Sequence, residues 1–600
     1  DTILAPGLPG LWLEPLLKLR GLEQLSDEDM VNIQRANLLD SSSPNPSVET
    51  LLHAFLPYKF VDHTHATPFL ILANLPNARE VCKEIFGGKL GIVPYIMPGF
   101  ALAKKAAEVF EQDPTVEGLI LLGHGHFAFG ETAKESYDQI ISHTQAVADY
   151  LRIENPTNLF TRNPHAASHI FPIIRGLIGD MIGQNSPMPI MDLRNGKDEL
   201  QFLKRNDLEE LSTRGTASPD HVIRIKSRPL ILRETIWSKG REAIKQELDK
   251  YAEEYKAMFE RQAPLANQPK TMLPTDPKNI WMEGIGLIGL GANAKAASIA
   301  GDLAVQNARV RAIGEDAGGF RPISEKDLFD CEYWSLEQAK LGKGAPPKFQ
   351  GKIVMITGGS GTIGFAIAEA FSKLGAQTVL VDKDEITLKK AITKLGHGHG
   401  YFPIDVTEAD AANQAMLAAI QNFGGLDILV SNAGAAHAGP MLSISNDELR
   451  SAFELNFFSH YSFSTAAAKI LKNQNRGGQI LFNISKQAVN PGRNFGAYGL
   501  PKATTFFLMR QLALELGSDG IRVNGVNADR IRSGLLTDDF ISSRAKSRGV
   551  SESEYMAGNL LGKEVTAEHV ADAFTSLACA ESTTGHVMTV DGGNVEASLR

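Results

Sequence analysis

Cysteine is scarce in this chain of 600 residues: Cys82, Cys331 and Cys579 lie hundreds of positions apart. That spacing excludes a local thiolate metal cluster and offers no disulfide framework, which fits a reducing cytoplasm. Long apolar runs are also missing. No stretch reaches the about 18 residues that a membrane-spanning helix needs. The start, Asp1-Thr2-Ile3-Leu4-Ala5-Pro6, lacks a basic segment followed by an apolar one, so a protein neither exported nor membrane-bound is expected. It also lacks an initiator methionine, which points to a true start upstream. Charge of one sign is not in large excess: the net value of -9 is modest for the length, and nothing favours nucleic acid. What is present is ordinary for globular protein, with 43% hydrophobic and 22% charged residues. A mass of 65.0 kDa exceeds what one core organises and implies at least two large domains.

A polar connector, Gly342-Lys343-Gly344-Ala345-Pro346-Pro347-Lys348, precedes the buried-strand pattern Ile353-Val354-Met355-Ile356. The expected division is residues 1–341, a linker at 342–351, and 352–600. Beyond the linker, apolar runs at Thr378–Val381, Asp427–Val430, Ile480–Phe482 and Val523–Val526 alternate with helical segments. This is the alternation of a doubly wound parallel sheet, a Rossmann-type α/β fold. Upstream, Gly123-His124-Gly125 with Gly130 and Ala133-Lys134 returns as Gly284-Ile285-Gly286 with Gly291 and Ala294-Lys295. Either two glycine turns coincide or a unit is duplicated and degenerate. His124 and His126 become Ile285 and Leu287 in the second copy, so only the first copy is fit to hold a metal.

The first strand of the C-terminal part runs into Thr357-Gly358-Gly359-Ser360-Gly361-Thr362-Ile363-Gly364 and then a helix. Absent side chains let a pyrophosphate reach the backbone, where helix N-terminal amides bind negative charge. A second strand ends at Asp382, 18 residues past Gly364, where a carboxylate accepts from ribose hydroxyls and repels a 2'-phosphate. NAD is thus expected over NADP, although Lys383 follows directly. Tyr498 and Lys502 lie one helical turn apart, and Ser485 ends a strand thirteen residues before Tyr498. A phenol titrates near pH ~10 and becomes a useful base only beside a cation. Lys502 supplies one, and Ser485 is placed to hydrogen-bond the substrate oxygen.

On these motifs the region resembles the short-chain dehydrogenase/reductase family along its whole length. The resemblance implies roles for Asp405-Val406 near the adenine and Asn432-Ala433-Gly434 after the fourth strand. It makes Asn456 the proton-relay asparagine and puts Tyr498 and Lys502 against the cofactor as well. Thr584-Gly585-His586 through Val590-Asp591-Gly592-Gly593 resembles the closing strand and turn. Ala528-Asp529 stands where the family usually has Pro-Gly, a departure beside the nicotinamide.

The N-terminal part carries its own constellation: Glu49, then Val61-Asp62-His63-Thr64-His65, then Gly123-His124-Gly125-His126. Alternate strand residues face one side, so His63 and His65 can address one ion, with a third imidazole from a distant turn. Three neutral nitrogens and an open position suit zinc as a Lewis acid. A histidine pair that merely packs or faces solvent is the simpler alternative.

These spacings resemble the class II aldolase/adducin family, and with the fusion order they are similar to bifunctional rhamnulose-1-phosphate aldolase/alcohol dehydrogenases. The resemblance implies an aldolase-like α/β/α domain with His63, His65 and His124 as ligands of zinc or another divalent metal. Glu49 becomes the acid/base, His126 a neighbour, and Ser47 a contact for substrate phosphate, with Val48 replacing a second serine. Asp220-His221 resembles a family signature whose function the sequence does not give, a structural His221 being the simpler reading. Only 48 residues precede Glu49, and the family's glycine-rich phosphate segment is not among them, so an N-terminally incomplete aldolase domain is expected.

Together the resemblances imply cleavage of a ketose 1-phosphate to dihydroxyacetone phosphate and lactaldehyde, a short hydroxyaldehyde, in rhamnose (deoxysugar) catabolism. NAD-dependent oxidation of that aldehyde follows, and reduction is the reverse possibility. The alternative is a dehydrogenase for another hydroxy compound with a vestigial or scaffold-type aldolase/adducin half. Both families imply a homo-oligomer acting on small molecules.

Overall fold

The computed structural model describes residues 7–153, 169–183, 186–338, 345–436, 438–534 and 536–594. Their strands form three sheets. The first contains β1 (Phe60–Thr64), β2 (Leu90–Val93), β3 (Gly118–Leu121) and β4 (Gly125–Gly130), ordered β1-β4-β3-β2. The second contains β5 (Ile190–Arg194), β6 (Leu230–Leu232), β7 (Asn279–Met282) and β8 (Gly286–Gly291), ordered β5-β8-β7-β6. Central β3, β4, β7 and β8 are nearly continuous buried runs, as expected for strands covered on both faces.

These two sheets are copies of one unit. In each, the first strand is antiparallel to the fourth, the fourth antiparallel to the third, and the third parallel to the second. Gly118 opposite Ala128 becomes Asn279 opposite Gly289, a displacement of 161 residues (279 less 118). The displacement also carries the helix cap Thr132 onto Asn293 and Gly123 onto Gly284, both at positive φ. The glycine echo is therefore a duplication and not two coincident turns.

The third sheet contains β9 (Ile353–Thr357), β10 (Gln377–Asp382), β11 (Gly400–Pro403), β12 (Ile428–Ser431), β13 (Gly478–Asn483), β14 (Ile521–Ala528) and β15 (Val587–Val590). Its order is β11-β10-β9-β12-β13-β14-β15, with every pair parallel. This is the expected doubly wound sheet, and its order reverses beside β9, where such folds open a crevice for ligands. The expected connector is partly outside the described residues, at 342–344.

The second and third sheets are fastened by a buried cation. Arg175, on the helix Phe171–Ile182, is fully buried. It donates to Pro189 O (2.8 Å), Gln474 Oε1 (2.8 Å), Gly351 O (2.7 Å) and Asp427 Oδ2 (2.8 Å). Asp427 also accepts from the Ile353 amide at 2.8 Å. Burial opposes its ionisation, but Arg175, Lys352 and that amide outweigh the penalty and hold its pKa below the ordinary value. Apolar contact continues the seam: Ile190 and Ala297 belong to the core around Ala415 and Leu471, and Ile420 to the core around Ile174 and Met191. A Cβ on Gly176 would stand 1.8 Å from Gln474 O, so only glycine lets the helices meet there.

Removing one partner of a buried ion pair leaves the other charge unsatisfied, at a cost of about 3–5 kcal/mol. Arg175→Ala is expected to lower unfolding stability by that amount in urea titrations of the full chain. The apolar pair Arg175→Met with Asp427→Leu should recover much of it, and an unchanged midpoint in Arg175→Ala would contradict this account.

Candidate functional site

Two groups of side chains converge, one in each functional half. In the first, β1 carries His63, and His65 follows one residue beyond its end. Both rings lie over Gly125, where a Cβ would fall 2.7 Å from His65 Cδ2 and 2.8 Å from His63 Cε1. The turn between β3 and β4 brings in His124, so one ligand atom from each of the three histidines lies within 4.8 Å of the others. Glu49, just before the helix Thr50–Phe55, places Oε1 2.9 Å from His124 Nε2 and 3.6 Å from His63 Nε2.

The hydrogen bonds behind the rings set their tautomers. His63 Nδ1 meets His126 O at 3.0 Å, and His65 Nδ1 meets Asp220 Oδ2 at 2.9 Å. In the neutral rings both acceptors take the proton on Nδ1 and leave each Nε2 as a lone pair. Those nitrogens lie 2.9 Å apart, a contact that needs a proton or a metal ion between them; burial opposes a proton on His65, but Asp220 and Glu49 outweigh it and raise its pKa. The donor set therefore fits a divalent metal, and carboxylate or carbonyl acceptors behind ligating imidazoles are the usual arrangement. Burial pushes His63 down to about 3, with Glu49 opposing and the other imidazoles assisting. Burial would raise Glu49, but its bond to His124 and the charges of the three rings hold it at about 2.

His126 stands apart. Its ring stacks on Phe69 at 3.9 Å and its Nε2 meets His143 Nδ1 at 3.2 Å, so it supports His63 through its carbonyl. His53 bonds Val61 O at 2.9 Å. Ser47 Oγ accepts from the Glu49 amide at 3.2 Å, and Val48 packs against the core of the first sheet. Of Asp220-His221, the aspartate holds the His65 ring, while buried His221 bonds Ser218 Oγ at 2.7 Å. The second repeat also supplies Gln306, which donates to His65 O at 3.0 Å.

The second group lines a cavity of about 1570 Å³ running from Gly358 to Tyr555. Gly358, Gly361, Thr362, Ile363, Gly364, Asp382, Asp405, Val406, Asn432, Ala433 and Gly434 line it at one end. Gly364 is obligatory, since its Cβ would meet Gly358 O at 2.1 Å, and Gly358 takes φ +63°. These are the features of a phosphate-binding turn and fit a dinucleotide. Gly359 and Ser360, expected against the cofactor, lie in the turn between β9 and the following helix. Gly359 packs on Leu380, and Ser360 Oγ donates to Asp382 Oδ2 at 2.7 Å, which orients the carboxylate expected at the ribose.

Ser485, Tyr498 and Lys502 line the same cavity. The helix Gly496–Leu516 carries Tyr498 and Lys502 on one face, with Lys502 Nζ 5.9 Å from the phenol ring centre and donating to Asn483 O at 3.0 Å. Burial raises the Tyr498 phenol while Ser485 lowers it through a hydrogen bond. Burial also pushes Lys502 down to about 8. Asn456 sits in a π-helical turn, Glu454–Phe458, a form frequent at functional sites. Its Nδ2 donates to Ala435 O at 3.0 Å, and its main-chain carbonyl accepts from Thr505 Oγ1 at 2.8 Å.

Three further residues belong to these sites without a motif to announce them. His460, between Ser431 Oγ (2.6 Å) and Lys502 Nζ (3.4 Å), lies one helical turn past Asn456. Asp529 binds Lys486 Nζ at 3.0 Å, so the departure after β14 holds the residue that follows Ser485. Arg544 comes from the helix Asp538–Arg548.

Comparison with known families matches residues 20–151 to the Class II Aldolase and Adducin N-terminal domain and 165–341 to the second domain of class II aldolase. Residues 359–594 match Enoyl-(Acyl carrier protein) reductase. The uncharacterized oxidoreductase YuxG of Bacillus subtilis (strain 168) is 31% identical over 632 residues, covering 100% of this chain and 90% of that protein. (+)-Borneol dehydrogenase 1 of Salvia officinalis is 30% identical over 251 residues, 41% of this chain and 94% of its own. A solved 3-ketoacyl-(acyl-carrier-protein) reductase from Brucella melitensis, complexed with NADH, has 26% identity and TM-score 0.37, covering 40% of this chain and 98% of its own.

Outer partners of metal-bound histidines are worth about 10–100-fold in affinity. Asp220→Ala is accordingly expected to weaken zinc binding by that factor in chelator competition, and His124→Ala to abolish stoichiometric uptake. His126→Phe should retain one metal per chain; loss there would return His126 to the ligand set.

Proposed function

This chain belongs to the family in which class II aldolase domains are fused to a short-chain dehydrogenase/reductase, and on that premise we propose a bifunctional zinc aldolase and NAD-dependent dehydrogenase. The single observation that carries the reading is the pairing of two side-chain clusters in one chain. Three imidazole nitrogens face one point beside Glu49, and Ser485, Tyr498 and Lys502 face a dinucleotide-shaped cavity. A scaffold-type aldolase half has no need of the carboxylate and carbonyl that set the tautomers of His65 and His63.

In the aldolase half, the metal supplies Lewis-acid polarisation of a ketose 1-phosphate when bound. His63, His65 and His124 hold it, His126 O and Asp220 fix their rings, and Glu49 moves the proton during carbon–carbon cleavage. Held below its ordinary pKa by His124 and the neighbouring rings, Glu49 is ionised at neutral pH. Rhamnulose 1-phosphate, giving dihydroxyacetone phosphate and lactaldehyde, is the substrate to test first, because the whole-chain resemblance includes the fusion order.

In the dehydrogenase half, NAD supplies the hydride acceptor when bound. Ser485 donates to the substrate oxygen and Tyr498 removes its proton, with the Lys502 cation stabilising the phenolate. Asn456 extends the proton path. An aldehyde enters as its hydrate, whose H–C–O–H unit matches an alcohol. The protein acts as a cytoplasmic homo-oligomer in this reading. Exposed Phe458, Tyr461, Leu500, Phe507 and Leu514 on neighbouring helices support self-association.

Incubation with rhamnulose 1-phosphate is expected to release dihydroxyacetone phosphate, and lactaldehyde with NAD to raise NADH absorbance. The double variant His63→Ala, His65→Ala should lose cleavage alone; cleavage that survives sinks the aldolase assignment. Tyr498→Phe should lose oxidation by about 10²-fold or more, the scale of general-base catalysis, while NAD still binds. Lys502→Met removes the cation that favours phenolate, so the remaining oxidation should need higher pH. A profile moving to lower pH would contradict that role.

A further inference from the structure

Beyond Ser485 and Tyr498 the dehydrogenase cavity is lined by Lys486, Arg493, Arg530, Arg544 and Arg548; Asp529 and, from the turn that carries Asn456, Glu454 are carboxylates of the same lining. Asp529 is buried, 7% exposed, and already engaged by Lys486 at 3.0 Å and Arg530 Nε at 3.4 Å. Among the described residues no carboxylate pairs with Arg493, Arg544 or Arg548. Other arginines of this chain do have such partners: Arg205 with Asp207 at 2.8 Å, Arg228 with Glu254 at 3.0 Å, Arg233 with Glu209 at 2.6 Å.

The cavity arginines are held by aromatic faces instead. Arg544 Cζ lies 5.2 Å from the Phe495 ring centre and 5.6 Å from that of Phe540, and the two rings meet edge to face at 6.0 Å. Its Nε is buried without a hydrogen-bond partner. Arg548 lies 5.3 Å from the Tyr555 ring. Stacking fixes the guanidinium plane and leaves its N–H edge for an acceptor, the arrangement that binds planar or tetrahedral anions. Phe495 immediately precedes the helix that carries Tyr498, so Arg544 is tied to the segment that leads into that helix. A cation that is only solvated needs neither two rings nor a buried, unpartnered nitrogen.

We infer that the dehydrogenase half takes a hydroxy or oxo compound carrying an anionic group, carboxylate or phosphate, away from the reacting carbon, with Arg544 as its anchor. The inference rests on the dehydrogenase reading above and narrows its substrate class. It places neutral lactaldehyde at the slow end of what the site accepts.

The test compares charged and neutral twins with NAD: glyceraldehyde 3-phosphate against glyceraldehyde for phosphate, and succinic semialdehyde against butanal for carboxylate. A kcat/KM at least about tenfold higher for the charged member of one pair is expected, the scale of a hydrogen bond to a charged group. The pair that shows it identifies the anion. In Arg544→Gln that preference should shrink by about the same factor, chiefly through KM. Equal values within both pairs, or a preference untouched by the substitution, overturn the inference. If no aldehyde turns over, the redox reading has failed, and calorimetry of the NADH-saturated full chain decides the rest. Inorganic phosphate or malonate binding that Arg544→Gln abolishes upholds the anion site. No binding of either, or binding that survives the substitution, removes it.

Discussion

The way the second and third sheets meet depends on one buried guanidinium. Arg175 spends its hydrogen bonds on groups from both sides of the seam, and Asp427 returns the charge. A cation desolvated this fully is tolerable only with complete pairing, so neither half can slide without exposing an unsatisfied charge. The position of the pair matters as much as its strength. Asp427 immediately precedes β12 and accepts from Ile353 at the start of β9, at the N-terminal edge of a parallel sheet. Ligands of such sheets bind at the carboxyl edge. The fastening thus occupies the end of the sheet away from the cofactor cavity and leaves both sites open.

Duplication explains how one histidine cluster is built from distant sequence. The two copies share strand order and register, but Leu193, Ile285 and Leu287 of the second occupy the positions of His63, His124 and His126 in the first. Without its imidazoles the second copy binds no metal in this way. It contributes from outside, through Asp220 against His65 and Gln306 against the His65 carbonyl. A duplicated unit relieved of ligation became the outer wall of its sibling's site.

What was legible in the sequence follows from where the chemistry is written. The doubly wound half was readable because a dinucleotide cradle demands backbone features, such as Gly358 at positive φ and Gly364 beneath it, and because Tyr498 and Lys502 are one turn apart. His63 and His65 were readable through strand alternation. The duplication was visible only as a possibility, since the echo survives in its glycine turn while the rest has diverged. Asp220 could not be assigned, because its partner lies 155 residues earlier (220 less 65) and the contact exists only after two sheets pack. Arg175 and Arg544 carry no motif, and their roles come from burial and from what surrounds them.

The departure after β14 bears on specificity. Asp529, where the family usually has glycine, is a buried carboxylate that requires partners, and it finds Lys486 from the loop after β13 and Arg530 beside it. The two loops that bracket the substrate end are thereby tied by charge. The tie also removes Lys486, the neighbour of Ser485, from competition for a substrate anion. Positive potential is left at Arg493, Arg544 and Arg548, farther from the reacting carbon. Neutralising the near cation while sparing the far ones lets an anionic tail orient the substrate without placing a second charge beside the oxygen that Ser485 must hold.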